Sequence, residues 1–514
     1  MSHTDAVADS FEGPTSKATF LGHPVGLFVL FFAEMWERFS YYGMRGLLKL
    51  YMVNYLFVTV RQGLQGGPFT ESGNPDSVLG WTFIRGLLGN VTTADVQSCI
   101  TPKIAAITES NPTMAVDAIA KLAEQTCIAS SHASVLYGWY TGLVYLTPFF
   151  GGILADRWLG QRKAVVVGGI LMAIGHFVMA SESSFFLALG LLILGNGAFK
   201  PNVSTQVGLL YPQGDPRRDG AFTIFYMGIN LGAFICNFIV GTLAAVYGWH
   251  YGFGAAGVGM VLGLLVYLFG QRYLAPDNLA RAKAHVEEQH EGLTSEEWSR
   301  IGALVVLALL NVVFWAVYEQ QGNTMQTWAD EQTVWPVVAG FQIPSTWFQS
   351  FNPMCIVLMA PLLDIFWQWQ AKRGTEPTSV SKMAIGAVIL GLSFIVMIVG
   401  ANVVGDGKGS LFWPLACTFL LTIGELYLSP IGLSLVTKVS PAKLVSMMMG
   451  MWFISSFLGN TLSGYIGVYY TIWPKEQFFG FLTVLGLASG IAMWAFNAPL
   501  KKIIGAHDVK PVAA

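Results

Sequence analysis

Long apolar stretches recur along almost the whole chain and are separated by short polar connections. A membrane-spanning helix needs about 20 mostly apolar residues, and twelve stretches are candidates. They lie at roughly residues 24–58, 132–155, 162–181, 184–207, 219–246, 250–272, 300–324, 347–370, 381–402, 411–437, 441–470 and 477–499. The pattern therefore predicts an all-α membrane protein with twelve transmembrane helices.

One of the two longer polar segments divides these predicted helices into two sets of six. Residues 273–299 are highly charged and too polar to span a bilayer. We expect them to form a cytoplasmic linker between an N-terminal six-helix bundle at 23–272 and a C-terminal bundle at 300–500. Two such halves usually enclose a central cavity with a midplane site and rock about it in alternating access.

The other polar segment, residues 59–131, interrupts the first bundle and is predicted to lie outside the cytoplasm. Within it, Asn111 followed by Pro112 predicts a helix start, with the helix running over 113–129. The residues do not define the role of this insertion. A lid, an interaction surface and an inert excursion are the alternatives.

Lysine and arginine are distributed unevenly between the connections. The even-numbered short connections carry most of the cationic residues, whereas the odd ones carry only Lys408 and Lys475. The positive-inside rule then places both termini in the cytoplasm, so the segments 1–22 and 501–514 are predicted cytoplasmic tails, the first of them disordered. The expected location is the cell inner, or plasma, membrane.

Composition agrees with this class and excludes others. The chain of 514 residues is 54% hydrophobic and only 11% charged, against about 25% charged in soluble domains. A net charge of -2 gives no basic excess for nucleic acid. The sequence has neither the HExxH nor the GxSxG motif, so we predict no enzyme activity, no metal and no cofactor. Nothing implies an obligate protein partner.

Two of the five cysteines, Cys99 and Cys127, lie in the insertion at 59–131. An oxidising compartment would allow them to form a disulfide. Two free thiols are the alternative.

Ionisable residues occur inside the predicted spans, where each costs about 2.5–3.5 kcal/mol at the bilayer centre. Lys200, Glu319 and Glu425 lie in spans four, seven and ten. In span one, polar residues at helical spacing form a single stripe that must face a wet cavity; they are Glu34, Glu37, Arg38, Tyr41, Tyr42 and Arg45.

Plainer explanations exist for several of these charges. Arg45 and Lys49 can snorkel to the membrane surface near the end of a long helix. Gly151, Asp156, Arg157 and Arg162 belong to a loop motif that a structural latch explains better than a ligand site; all four lie at or near the predicted cytoplasmic boundary. Ion pairs that only hold helices together are the alternative for the span-one charges, but buried pairs are poor net stabilisers.

A cavity with charges of both signs suits a zwitterion. Arg38 and Lys200 would bind a carboxylate through charge-assisted hydrogen bonds, and Glu425 would bind an ammonium group. A carboxylate next to a cation becomes easier to protonate once a substrate occupies that cation. This exchange of partners couples substrate binding to proton binding.

Several motifs resemble those of one family. The segment from Glu34 to Gly43 resembles the ExxERFxYYG signature of the proton-dependent oligopeptide transporters of the major facilitator superfamily. Residues 225–232 and 424–430 resemble the family's motifs of spans five and ten, and 151–163 is similar to the superfamily's loop between spans two and three.

The resemblance implies a symporter that imports di- and tripeptides with protons as the coupling ion. It implies proton coupling by Glu34, Glu37 and Glu319. It also implies substrate binding by Arg38, Tyr41, Tyr42, Tyr145, Lys200, Tyr226, Asn230, Trp315, Asn352, Glu425, Ser429 and Trp452. Tyr318 departs from the family, since that place is acidic in some members. A carrier of another small substrate such as nitrate, and a non-transporting receptor with the same fold, are the alternatives.

Overall fold

The computed structural model describes residues 18–64, 67, 69–89, 91–212, 215–276, 293–441 and 444–504. Most of the predicted tail at 1–22, the centre of the predicted linker at 273–299 and most of the predicted tail at 501–514 lie outside the described residues.

Long helices make up most of the described chain. In chain order the α-helices are α1 Val25–Tyr51, α2 Trp81–Leu88, α3 Gln97–Ser110, α4 Val116–Leu154, α5 Gln161–Val178, α6 Phe185–Leu209, α7 Arg217–Cys236, α8 Thr242–Tyr247, α9 Trp249–Gly270, α10 Ser295–Tyr318, α11 Thr324–Glu331, α12 Phe351–Lys372, α13 Ser379–Val404, α14 Phe412–Val439, α15 Val445–Ile472 and α16 Lys475–Ile504. Short π-helical segments follow α1, α4 and α7, at Met52–Leu56, Ala155–Leu159 and Asn237–Gly241.

Strands are confined to two-residue pieces in the described part. They are β1 Thr19–Phe20, β2 His23–Pro24, β3 Thr333–Val334, β4 Val337–Val338, β5 Phe341–Gln342 and β6 Gly409–Ser410. Strands β1 and β2 pair antiparallel, as do β4 and β5, whereas β3 and β6 pair parallel.

Among the described residues, nine helical stretches are long and apolar enough to cross a membrane. They correspond to nine of the twelve predicted spans. The other three predictions, at 24–58, 132–155 and 441–470, fall on helices α1, α4 and α15. Helix α1 carries Glu34, Glu37, Arg38, Arg45 and Lys49, which lowers its hydropathy. The all-α membrane fold is confirmed, and the count of twelve stays a prediction.

Contacts divide the chain into two compact units, with one boundary inside the predicted linker and further boundaries within the predicted N-terminal bundle. The first unit comprises Met1–Met44, Leu146–Val240 and His250–His290, and the second comprises Arg45–Tyr145, Gly241–Trp249 and Glu291–Ala514. Helices α1 and α4 therefore contribute one end to each unit. The division at 273–299 into bundles of six helices stays a prediction.

The loop motif at 151–162 lies in the first unit and makes structural contacts. Arg162 donates hydrogen bonds to the carbonyl oxygens of Leu274, at 2.7 Å, and Ala275, at 3.0 Å. A Cβ atom on Gly151 would collide with the carbonyl oxygen of Gly197, so only glycine allows the backbones of α4 and α6 to approach this closely. These contacts support the latch interpretation for Gly151 and Arg162; the roles of Asp156 and Arg157 stay predictions.

The insertion at 59–131 folds within the second unit. Cys99 of α3 and Cys127 of α4 form a disulfide, with their Cα atoms 6.0 Å apart. The predicted helix start at Asn111 is wrong: Asn111 caps the C-terminus of α3, and α4 begins at Val116 and continues without a break into the predicted second span. The insertion is thus attached to α4 in two ways: its last part is the N-terminal portion of that helix, and the disulfide joins α3 to it.

Helix α3 is also tied to the C-terminal part of the second unit. Lys103 forms an ion pair with Glu331 at the end of α11, with the Nζ and Oε1 atoms 2.8 Å apart. The hydroxyl group of Ser98 donates to the carbonyl oxygen of Ile472 at 2.7 Å. These contacts hold the insertion against α11 and α15.

Candidate functional site

A cluster of buried charges forms in the first unit, one turn apart on α1. The Nε atom of Arg38 lies 3.0 Å from Glu34 Oε1 and 2.5 Å from Glu37 Oε2. All three residues are at most 2% exposed. The spacing i, i+3 and i+4 produces this cluster because those positions share one helical face. One cation thus faces two carboxylates.

The cluster retains unused hydrogen-bonding capacity. Glu34 Oε2, Glu37 Oε1 and Arg38 Nη2 are buried and have no hydrogen-bond partner among the described residues. A buried polar atom without a hydrogen-bond partner costs about 1–3 kcal/mol. A ligand carboxylate that accepts a hydrogen bond from Arg38 Nη2 would remove this cost for the guanidinium group.

Lys200 of α6 belongs to the same cluster, since it interacts electrostatically with Arg38, Glu34 and Glu37. Two tyrosines of α1 complete the surroundings. The Arg38 guanidinium carbon lies 5.4 Å from the ring centroid of Tyr41, whose ring is 5.1 Å from that of Tyr42. The geometry of this unit therefore supports the prediction that Glu34 shares one region with five other charged or aromatic residues. They are Glu37, Arg38, Tyr41, Tyr42 and Lys200.

Other predicted binding residues have different settings. Asn230 of α7 is 5% exposed, and its amide donates to the carbonyl oxygen of Tyr226, one turn earlier, at 3.0 Å. Tyr226 itself is 47% exposed. Tyr145 of α4 is half-buried.

A second set of charges lies in the second unit. Arg45, near the end of α1, forms an ion pair with Glu319, and its Nε atom donates to the hydroxyl oxygen of Tyr137 at 2.6 Å. A Cβ atom on Gly322 would collide with that same hydroxyl group. Glycine at 322 therefore makes room for the pair.

The expectation that Arg45 and Lys49 snorkel to the surface is wrong. Lys49 is 1% exposed, and its ammonium group donates to Ser134 Oγ at 2.9 Å and to Asn323 Oδ1 at 2.5 Å. Both side chains turn inward because polar partners on α4 and the segment after α10 lie within reach. Lys49 continues the span-one stripe beyond Arg45 by one helical turn, which is the signal that could have identified it.

Glu425 of α14 is held by two donors. The hydroxyl group of Tyr318 donates to Glu425 Oε2 at 2.6 Å, and the amide of Asn352 donates to the same atom at 3.1 Å. The Asn352 amide also lies 2.9 Å from Thr422 Oγ1. At the position of Tyr318 some family members are expected to have an acidic residue. In this chain the tyrosine hydroxyl group there donates a hydrogen bond to the carboxylate of Glu425.

Three further predicted residues lie on helices of this unit. The ring of Trp315 packs edge-on against Tyr318, with centroids 5.2 Å apart. Ser429 is half-buried one turn after Glu425 on α14. Trp452 is only 3% exposed and packs against Gly432, where a Cβ atom would meet the indole ring. Trp452 therefore packs against α14, and its role in substrate binding stays a prediction.

No group of three or more potential metal ligands occurs among the described residues. The carboxylates, cations and phenols described above can form ion pairs and hydrogen bonds and can exchange protons.

Comparison with solved structures defines the class. The chain is similar to the crystal structure of a peptide transporter POT mutant in complex with alafosfalin, with 30% identity, a TM-score of 0.76, and coverage of 98% of this chain and 99% of that one. The fold is that of the major facilitator superfamily, and the protein is a membrane transporter, not an enzyme.

Sequence comparison then identifies the family. A family model described as PTR2, POT family, matches residues 162–280 and 278–478. The peptide transporter YePEPT of Yersinia enterocolitica subsp. palearctica is 32% identical over 87% of this chain and 88% of its own length. A di-/tripeptide transporter of Lactococcus lactis subsp. cremoris is 30% identical over 95% of this chain and 98% of its own. The chain belongs to the POT family, as the motifs predicted.

Proposed function

We propose that the protein is a symporter that imports di- and tripeptides together with protons, by alternating access. The observation that carries the proposal is the buried Glu34, Glu37 and Arg38 cluster with Lys200 beside it. Peptide transport by the relatives described above supports the substrate class.

Arg38 and Lys200 bind the peptide carboxylate in this proposal. The Nη2 atom of Arg38 makes no hydrogen bond within the described part of the chain, and a guanidinium group can hold a carboxylate through two parallel bonds. An ammonium group at Lys200 adds a second cation. Tyr41 and Tyr42 provide aromatic surface beside them.

Glu425 binds the peptide amino group. One of its oxygens already accepts hydrogen bonds from Tyr318 and Asn352, which fixes the orientation of the carboxylate. The other oxygen can then accept a bond from an ammonium group. Tyr145, Tyr226, Asn230, Trp315, Ser429 and Trp452 are proposed to line the path of the substrate.

Protons are carried by Glu34, Glu37 and Glu319. When the substrate carboxylate pairs with Arg38, that cation is shared, and protonation of a neighbouring glutamate becomes more favourable. Protonation of Glu319 would likewise release Arg45. In each event a carboxylate becomes a neutral carboxyl group and its cation is freed to pair with another anion, so the ion pair can open without leaving an unpaired carboxylate buried.

The test is reconstitution of the purified protein in liposomes and measurement of labelled dipeptide uptake with and without an inward proton gradient. We expect accumulation above the external concentration only with the gradient, and competition by unlabelled tripeptide but not by nitrate. Nitrate uptake would instead favour an anion carrier, and saturable binding without uptake would favour a receptor.

A further inference from the structure

The second unit exposes an apolar helix face at one end of the membrane-spanning region. Helix α2, Trp81–Leu88, lies in the insertion. Its side chains Phe83 and Leu87, four residues apart on one face, are 70% and 68% exposed, and Leu79 just before the helix is 71% exposed. We propose that this face lies in the outer headgroup region of the bilayer, so that α2 anchors the insertion to the lipid surface.

The opposite face of α2 fixes its position on the protein. Trp81 is 4% exposed. Its indole ring stacks on Phe57, with centroids 4.0 Å apart, and meets the His132 ring edge-on at 5.7 Å. The His132 ring nitrogen also lies 3.4 Å from the carbonyl oxygen of Gly89, just after the helix. Both ends of α2 are thus held at the level of His132 on α4.

The level of His132 can be counted along α4 from the predicted cytoplasmic boundary at Asp156. The two residues are 24 positions apart, or about 36 Å along a helix axis, and about 34 Å across the membrane with a typical tilt. The hydrocarbon core is about 30 Å thick, and the headgroup regions extend it to about 40–45 Å. His132, and α2 with it, therefore lies within the outer headgroup region.

The side chains of α2 match that environment. Aromatic and aliphatic side chains on one face of an amphipathic helix insert into the boundary between headgroups and acyl chains. Arg85 is exposed on the same helix, where a guanidinium group can reach lipid phosphates.

The neighbouring helix provides a contrast within the same insertion. The exposed side chains in the last turn of α3 are polar, at Thr108, Glu109 and Ser110. Burial of one large apolar side chain stabilises a protein by about 1.5–3 kcal/mol. Exposure of Phe83 and Leu87 to water would therefore be unfavourable, whereas exposure to lipid would not. The contrast predicts that α2 contacts lipid and that this end of α3 contacts water.

Spin labelling of the full chain in phosphatidylcholine liposomes tests the proposal. Leu87→Cys and, as the matched control, Thr108→Cys are labelled, with the parent protein as the background because Cys236, Cys355 and Cys417 are buried. Collisions with oxygen, which is concentrated in lipid, and with a water-soluble nickel complex are compared. We expect oxygen to dominate at position 87 and nickel at position 108.

Phe83→Cys is measured in parallel in case one variant fails to fold. Nickel accessibility at 83 and 87 equal to that at 108 would overturn the proposal in favour of water. Inaccessibility to both reagents would overturn it in favour of a protein contact, and recovery of oxygen collisions in nanodiscs with one chain each would identify that contact as a second copy.

A second measurement reads out the anchoring itself. The double substitution Phe83→Glu and Leu87→Glu should increase the rate of protease cleavage of the insertion in liposomes, whereas Thr108→Glu should leave it unchanged. An equal rate for all three proteins would contradict an anchoring role for α2.

Discussion

The two units hold charged side chains of the same kinds in different ways. In the first unit, Arg38 faces two carboxylates, and polar atoms of Glu34 and Arg38 make no hydrogen bond within the described part of the chain. In the second unit, Glu319 pairs with Arg45, and Lys49 donates to two neutral partners. The first arrangement leaves capacity for a ligand, and the second holds helices together.

The physical reason for the difference lies in what surrounds each charge. Charged neighbours on a single helix turn cannot satisfy one another fully, because their directions are set by the same backbone. The second unit surrounds its charges with hydroxyl and amide groups from other segments, including Tyr137, Ser134 and Asn323. Buried charges stabilise a fold only when such additional hydrogen bonds are present.

Removal of the central cation should have the largest effect. Arg38→Ala removes the cation that pairs with both Glu34 and Glu37, and breaking a buried ion pair in this way costs about 3–5 kcal/mol. We expect complete loss of dipeptide uptake and a lower unfolding temperature in detergent. Arg38→Lys is the control, which should keep the stability but lose most of the uptake because it cannot bind a carboxylate bidentately. Normal uptake by Arg38→Ala would refute the ligand role.

Substitution of a coupling carboxylate should separate two modes of transport. Glu37→Gln removes the charge and the titration but keeps the shape of the side chain. Gradient-driven accumulation should be abolished, whereas exchange of labelled for unlabelled peptide across liposomes should continue. Asp364→Asn, at an exposed carboxylate, is the matched control and should accumulate peptide normally. Undiminished accumulation by Glu37→Gln would remove Glu37 from the coupling mechanism.

Glu425→Gln should discriminate between peptides by their amino ends. Loss of a hydrogen bond to a charged group costs about 1.5–3 kcal/mol, which corresponds to an increase in KM of about 10- to 150-fold for peptides with a free amino group. Competition assays with N-blocked peptides should change much less. Tyr318→Phe removes a donor to the carboxylate without removing its charge, so it should give a smaller increase. Equal losses for free and blocked peptides would contradict the assignment of Glu425.

Lys49→Met tests whether the second unit is held together by its buried ammonium group. The substitution leaves Ser134 and Asn323 without their donor, at a cost of about 1–3 kcal/mol. We expect a lower unfolding temperature than that of the parent and only a partial loss of uptake. Lys408→Met, at an exposed lysine, should leave both unchanged. Identical unfolding temperatures for the two variants would restore the snorkelling interpretation.

The disulfide should matter least for transport. Cys99 and Cys127 are 28 residues apart, a loop whose closure is worth about 3–4 kcal/mol in the chain-entropy model. Replacing both by serine should therefore increase protease cleavage of the insertion while leaving dipeptide uptake unchanged. A loss of uptake comparable to that of Arg38→Ala would show that the insertion acts in transport itself.

The sequence alone determined the membrane class, the positions of nine apolar helical stretches in the described residues and the first charge cluster. Hydropathy finds spans because lipid requires each helix to satisfy its own backbone groups, and the spacing of Glu34, Glu37 and Arg38 on one helix fixes their proximity before any folding. The same local logic favoured Cys99 and Cys127 as the disulfide candidates, since both lie in one insertion.

Only the tertiary structure determined the burial and the contacts of residues whose partners are distant in the chain. Arg45 and Lys49 lie near a helix end, where a sequence allows either snorkelling or burial, and Glu319, Asn323 and Ser134 determine the outcome. Tyr318 gained its role because Glu425, 107 positions away, lies within 2.6 Å of its hydroxyl group. Helical periodicity specifies which face a side chain occupies, but only packing specifies what that face meets.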